Sequence, residues 1–275
     1  MIIDCHQHFW RYNPVRDSWI DESMSVLKAD FLPQDLEPLL LANGIDQCIA
    51  VQADASENET RFLLELSDKH DFIAGVVGWV DLCGPDVVDR LAYHAKHPKL
   101  KGIRHIVQAE TDPAFMQRSD FQNGIAHLAQ HQLVYDILIR ESQLESAIKL
   151  VEAFPKQIFV LDHLAKPQIH EGVQERWSSG ITALGNLPNV YAKLSGLVTE
   201  NLNRSIDPIA YEPFMELAYR VFGPERLLYG SDWPVCTLNA NYTEVKAIAA
   251  YFINQLDPSE QELIYYQNAK RCYQL

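Results

Sequence analysis

Met1-Ile2-Ile3-Asp4-Cys5-His6-Gln7-His8-Phe9-Trp10 opens the chain. Apolar residues lead directly into Asp4, and His6 and His8 follow two apart. In an extended strand residues i and i+2 share a face. The spacing therefore predicts two imidazoles projecting to one side at the strand's C-terminal end, with Phe9 and Trp10 beginning a loop. Two histidines converging from one strand suit a borderline divalent metal such as zinc. With ten histidines in 275 residues, however, a lone His-x-His is equally the pattern of a hydrogen-bonded structural pair. Any further ligands have to come from elsewhere in the chain.

Outward from this strand, the sequence alternates between two periodicities. Short apolar runs at 47–54, 72–81, 100–107, 133–139, 158–164, 189–195 and 227–233 read as seven more strands. Between them lie helical patterns at 34–43, 57–70, 85–97, 121–131, 173–184 and 208–222. Another helix carries Leu144, Ala147, Ile148 and Val151 at helical spacing, and a later one Val245, Ile248, Ala249 and Phe252. A last helix starts at Asp257-Pro258, a cap followed by proline at the first helical position. Residues 11–30 have no clear period and read as a loop extension.

Eight buried-type strands, each followed by a helix, imply parallel pairing through right-handed crossovers. Their number favours a closed (β/α)8 barrel, a TIM barrel, forming a single domain over residues 1–275. No Gly-x-Gly-x-x-Gly or Walker lysine follows any strand, so the fingerprint of a nucleotide-binding fold is missing.

The formal charge of −14 and a pI near 5.1 argue against nucleic acid or an anionic membrane as partner. No stretch approaches the roughly 18 consecutive apolar residues of a membrane span. The five cysteines are scattered, with no Cys-x-x-Cys, and the start of the chain lacks a signal-peptide pattern. A reduced, cytoplasmic compartment is expected.

Barrel enzymes place their chemistry at the C-terminal ends of the strands. Those ends carry His6 and His8; Gln52 and Asp54; Trp79 and Asp81; Arg104 and His105; Tyr135 and Asp136; Asp162 and His163, then Lys166; Lys193 and Ser195; and Asp232. Several have plainer explanations. Asp54, Asp81 and Asp136 also read as helix caps or loop ion pairs, Lys193 as an outward charge, and Tyr135 as a core tyrosine. His94, His97, His127 and His131 fall in helical stretches and are expected on solvated faces. His6, His8, His163 and Asp232 stand out as a set, because strands one, six and eight would bring them to one rim. Three imidazoles and a carboxylate can hold one divalent ion and leave coordination positions open. Asp232 is also placed to act as general base, and Arg104 offers a permanently charged fork for a carboxylate or an oxyanion.

These residues resemble the amidohydrolase superfamily, and more closely its sugar-lactonase branch, the L-fuconolactonase and L-rhamnonolactonase-like hydrolases. The likeness runs over nearly the whole chain. It includes Asp4 to Trp10, Gly102-Ile103-Arg104-His105, Leu161 to Pro167, Lys193 to Glu200, and Tyr229-Gly230-Ser231-Asp232-Trp233-Pro234. The resemblance implies a barrel hydrolase opening the cyclic ester of an aldonic acid. It implies that His6, His8 and Asp232 form a metal site with His163 nearby, and that Asp232 activates water. Binuclear members of the superfamily bridge two metals through a lysine or glutamate on strand four and use a histidine on strand five. Here those ends carry Arg104-His105 and Tyr135-Asp136, so one divalent ion is expected, zinc first, with its necessity left open.

The expected activity is hydrolysis of a 1,4- or 1,5-sugar lactone with Asp232, His163 and Arg104 as catalytic residues. His105, Tyr135, Lys193, Trp79 and Trp10 are the candidate substrate contacts. A pyrone or muconolactone carboxylate lactonase, or a metal-dependent decarboxylase, is the alternative on the same scaffold. A non-catalytic sugar-binding barrel is the alternative of another class. Barrels of this kind often pair as homodimers, although no segment declares an interface.

Overall fold

The eight apolar runs all form strands, most of them shorter than their periodicity suggests. The computed structural model describes residues 1–275. The strands are β1 (Ile3–Gln7), β2 (Gln47–Val51), β3 (Ile73–Gly78), β4 (Leu100–His105), β5 (Val134–Ile137), β6 (Phe159–Leu161), β7 (Val190–Leu194) and β8 (Leu227–Tyr229). They pair in parallel in chain order. Helices α1 (Pro33–Ala42), α2 (Glu57–Lys69), α3 (Val87–His94), α4 (Ser119–Ala126), α5 (Leu144–Ala153), α6 (Glu175–Gly185), α7 (Glu212–Phe222) and α8 (Tyr242–Ile253) each follow one strand. The C-terminal helix α9 (Pro258–Glu262) runs through a π-turn (Leu263–Gln267) into α10 (Asn268–Cys272). The result is the expected (β/α)8 barrel.

Closure occurs at the rim. His8 N donates to Trp233 O at 2.7 Å, and Asp232 N donates to His6 O at 2.7 Å. These two backbone bonds tie the first strand to the segment just beyond the last.

The barrel wall has two apolar sides. Outside it, 62 buried residues fill the space between strands and helices. Inside, Ile3, Val51, Val77, Val134, Val160 and Leu228 form a smaller cluster. Ala269, Cys272 and Tyr273 from the end of the chain join that cluster and plug the barrel floor. Two residues further along the strands the same inward face becomes charged: Val134 gives way to Asp136, Val160 to Asp162, and Tyr191 to Lys193, all three without solvent exposure. On β1 a bulge contributes, because Asp4 pairs with Cys48 and Gln7 with Ala50, three steps against two. It lets Cys5 join the apolar layer and His6 the charged one, while Asp4 turns outward to accept from Tyr242 Oη at 2.7 Å.

Several local expectations change. The apolar run at 158–164 is a strand only to Leu161, because His163, Leu164, Ala165 and Lys166 all have left-handed backbone, with φ of 53, 49, 59 and 55°. None of the four is glycine, so no sequence signal marks the turn. Likewise β8 stops at Tyr229, and Asp232 has φ of 60°. Helix α4 ends at Ala126 and α7 begins only at Glu212, each flanked by a short 3-10 turn. The 11–30 segment is pinned at its base by paired backbone bonds between Trp10 and Phe31 (3.0 and 2.9 Å) and contains a short 3-10 turn at Glu22–Leu27. No helix is long and apolar enough to cross a membrane, and all five cysteines are free.

His94 is not solvated as expected. It is buried on α3, with Nε2 2.9 Å from Glu57 Oε2, and Arg90 Nε donates to Glu57 Oε1 at 2.9 Å. The Arg90 hydrogen bonds hold the Glu57 carboxyl down to about 2, from an ordinary 4.5. A depressed folded-state pKa stabilises the fold above the unfolded value and loses that contribution as pH falls through the window from about 4.5 to about 2. The melting temperature of Glu57→Gln, followed by circular dichroism, is therefore expected to fall less steeply across that window than that of the unmodified protein. Parallel slopes would refute the assignment.

Candidate active site

The charged layer and the rim above it meet around His6. His8 Nδ1 donates to Val51 O at 2.7 Å, which leaves Nε2 as a lone pair. That lone pair lies 3.2 Å from His6 Nε2 and 3.4 Å from Asp232 Oδ1, with His6 Nε2 3.7 Å from the same oxygen. Three ligand atoms about 2.0–2.2 Å from a tetrahedral zinc would be about 3.4 Å apart. The three side chains are buried. His6 Nε2, His8 Nε2 and the Asp232 carboxylate therefore converge on one point, where a cation bound by all three would satisfy them together. The donor set fits a divalent metal.

Closure of the barrel builds this cluster, since the bonds from His8 N and Asp232 N lie between the candidate ligands themselves. His163 approaches from the left-handed turn, with Nε2 3.9 Å from Asp232 Oδ1 and its ring centroid 4.3 Å from that of His6. Its Nδ1 is 2.9 Å from Ser195 Oγ. Gly196, at φ of 64°, makes room for that ring: a Cβ there would lie 2.3 Å from His163 Nδ1. Trp177 Nε1 donates to Leu164 O at 2.7 Å and braces the turn from α6.

Burial raises the Asp232 carboxyl, but the neighbouring His163, His8 and His6 outweigh it and hold it below the usual carboxylate range. Burial lowers His163 to about 4 and His6 well below its ordinary value. At neutral pH the rim thus holds the Asp232 carboxylate beside neutral His6 and His163, as metal ligation requires of a carboxylate and an imidazole.

A cavity of about 390 Å³ opens above this cluster, lined by His8, Arg104, His163 and Asp232 at its base. That volume suits a small ligand. Trp10, Leu138 and Val235 are among its apolar lining residues, and His105, Glu110 and Lys166 among its polar ones.

The structure sorts the other expected residues. Trp10 and His105 line the cavity. His105 Nε2 is 2.7 Å from Glu110 Oε1, its ring stacks on Phe115, and Trp79 Nε1 lies behind it, donating to Nδ1 at 3.4 Å. Trp79 therefore supports His105 and does not itself reach the cavity. Tyr135 faces the opposite side of the wall, fully buried between Phe121 and Phe159, and makes no contact with the cavity. Lys193 points inward below the cavity floor, with Nζ 2.5 Å from Asp136 and 3.0 Å from Asp162. It is thus neither an outward charge nor a sugar contact, and Asp136 is no helix cap. The Arg104 fork is largely committed to the protein: Nη1 donates to Asp162 at 3.0 Å and lies 3.3 Å from His6 Nε2, and Nη2 donates to Gln52 O. It brings positive charge to the cavity base.

At the end of β7 it is Ser195, not Lys193, that reaches the rim, through His163. Asp162, a strand-end residue with no role expected of it, sits in the charged layer with Arg104 and Lys193, and Glu110 lines the cavity from a loop that carries no sequence signal.

The family model for Amidohydrolase matches residues 3–275. An L-fucono-1,5-lactonase of Burkholderia multivorans is 41% identical over 99% of this chain and 96% of its own. An L-fucono-1,5-lactonase of Burkholderia ambifaria is 35% identical over 90% of this chain and 86% of its own. The crystal structure of an amidohydrolase from Burkholderia multivorans with bound zinc superposes with a TM-score of 0.96 at 41% identity, covering 100% of this chain and 99% of that one. With a family match from the first strand to the last residue, and relatives of this identity along nearly the whole barrel, the chain belongs to the Amidohydrolase family.

Proposed function

We propose that this protein hydrolyses a sugar lactone, of the L-fucono-1,5-lactone kind first, to the open aldonic acid. The observation that carries the reading is the convergence of the Asp232 carboxylate with His6, His8 and His163 at the base of a small, half-apolar cavity. Its likeness to two L-fucono-1,5-lactonases supports the choice of substrate. The five free thiols agree with a reduced, cytoplasmic setting.

His6, His8 and Asp232 would hold the metal. When bound, a divalent ion supplies Lewis acidity at a carbonyl and lowers the pKa of water. The protein's own groups do the rest. The Asp232 carboxylate accepts a proton from the water that attacks the lactone carbonyl carbon. His163, with Nδ1 engaged by Ser195 Oγ, presents Nε2 to the developing oxyanion, and the Arg104 charge adds to that field. The acyl carbon–oxygen bond then breaks, and the proton taken by Asp232 passes to the departing ring oxygen. A lactone needs less leaving-group activation than an amide, so the proton carried by Asp232 suffices for the ring oxygen. Apolar lining residues such as Trp10 and Val235, which pack in one cluster, reduce the water around the bound substrate.

Ring opening yields an acid that ionises at neutral pH, so turnover can be followed with a pH indicator on a panel of 1,4- and 1,5-sugar lactones. One stereochemical group is expected to be hydrolysed well above its spontaneous rate, and Asp232→Asn to lower kcat by about 10²–10⁴-fold. A flat panel, or an unimpaired Asp232→Asn, would overturn the proposal. Gly196→Ala is expected to displace the His163 ring and reduce kcat by about 10²-fold, the scale of a misplacement near 1 Å. Unchanged kcat in that variant would remove His163 from the mechanism.

A further inference from the structure

Below the cavity floor, one nitrogen of a candidate metal ligand has two competing neighbours. His6 Nδ1 lies 3.2 Å from Asp162 Oδ1, which can only accept, and 3.2 Å from Lys193 Nζ, which can only donate. If the Nδ1 lone pair accepts from Lys193, the ring proton sits on Nε2. It would then face Arg104 Nη1, itself a donor, at 3.3 Å, and would cover the atom that meets His8 and Asp232. If Nδ1 carries the proton, the acceptor beside it is Asp162 Oδ1, at 3.2 Å, a buried oxygen with no other hydrogen-bond partner, and Nε2 presents a lone pair to Arg104 and to the metal position.

The surroundings restrain Lys193 from the first arrangement. Its ammonium is drawn to Asp136 Oδ2 at 2.5 Å and to Asp162 Oδ1 at 3.0 Å. Asp136 is fixed from below by Tyr273 Oη, which lies 3.2 and 3.1 Å from its two oxygens. Tyr273 is the third residue from the C-terminus, buried in the floor of the barrel, with the Lys193 ammonium 5.7 Å above its ring. A chain of direct contacts thus runs from the C-terminal plug through Asp136 and Lys193 to Asp162 and His6.

We propose that Asp162 and Asp136, the latter anchored by Tyr273, are positioning residues that keep the His6 proton on Nδ1 and so hold Nε2 free as a ligand atom. Asp162 accepts that proton. Asp136 and Tyr273 keep Lys193 from competing for the nitrogen. The assignment concerns the metal position and stands whichever lactone is the substrate.

The test uses the full chain labelled with 15N-histidine and stripped of metal by chelation. Long-range 1H–15N correlation reports which nitrogen of each ring is protonated, and a His6→Gln spectrum assigns the signal. His6 is expected as the Nδ1–H form in the unmodified protein. Asp162→Asn and Asp136→Asn are expected to move it toward Nε2–H and to weaken zinc binding by about 10–100-fold, read by competition with a chromogenic chelator. Tyr273→Phe, which keeps the ring and removes the hydroxyl, is expected to shift both readings in the same direction by less. A merely structural role would lower the melting temperature and leave tautomer and zinc affinity unchanged, and that result would overturn the proposal. An Nε2–H form in the unmodified protein would overturn it too, even if the aspartate variants failed to fold.

Discussion

Two backbone hydrogen bonds, His8 N to Trp233 O and Asp232 N to His6 O, carry more of this structure than their size suggests. They close the barrel by joining its first strand to the segment after its last. In the same stroke they bring His6, His8 and Asp232 within 3.7 Å of one another. A backbone bond contributes only about 0.5–1.5 kcal/mol net. Its value here is geometric, because the closure of the fold and the assembly of the ligand set are one event.

The charged layer beneath the rim has a different logic. Arg104, Lys193, Asp136 and Asp162 are withdrawn from water, where a buried ion pair gives little stability over apolar packing. Removing one member costs about 3–5 kcal/mol, because its partner is left unpaired. Such a layer is a poor way to stabilise a barrel and an effective way to hold His6 in one orientation. The left-handed turn at His163 to Lys166 is a similar investment. Left-handed backbone costs roughly 1–2 kcal/mol per residue outside glycine, and Lys166 N to His163 O together with the Trp177 bond to Leu164 O offset part of it. In return, His163 is delivered over the cluster from a strand whose pleat alone would not have placed it there.

Much of this was legible in the chain. The alternation of apolar runs and helical stripes repeats eight times, and a parallel strand buried on both faces has to be apolar along its length, so the barrel follows from periodicity. His6 and His8 share a face because they are two apart, and strand ends are where this fold keeps its chemistry. The same rule brings His163 and Asp232 to the rim beside them, where the structure places both. Tyr135, Trp79 and Lys193 were misplaced by the same rule. It says which residues lie near a strand's end, but not which side of the wall each faces or how deep it lies.

The sequence by itself determined the fold and an inventory of candidate ligands, because both depend on local periods of two and 3.6 residues that the chain carries in full. Only the tertiary structure decided how those ligands are aimed. A bulge set by pairing with β2 turned both Cys5 and His6 inward. A run of left-handed residues without glycine lifted His163, and Gly196, distant in sequence, gave its ring room. Lys193 became the partner of Asp136 and Asp162 because the pairing of β5, β6 and β7 puts their inward faces within ion-pair reach. Each of these rests on contacts between segments far apart in the chain, and a local pattern holds no record of them.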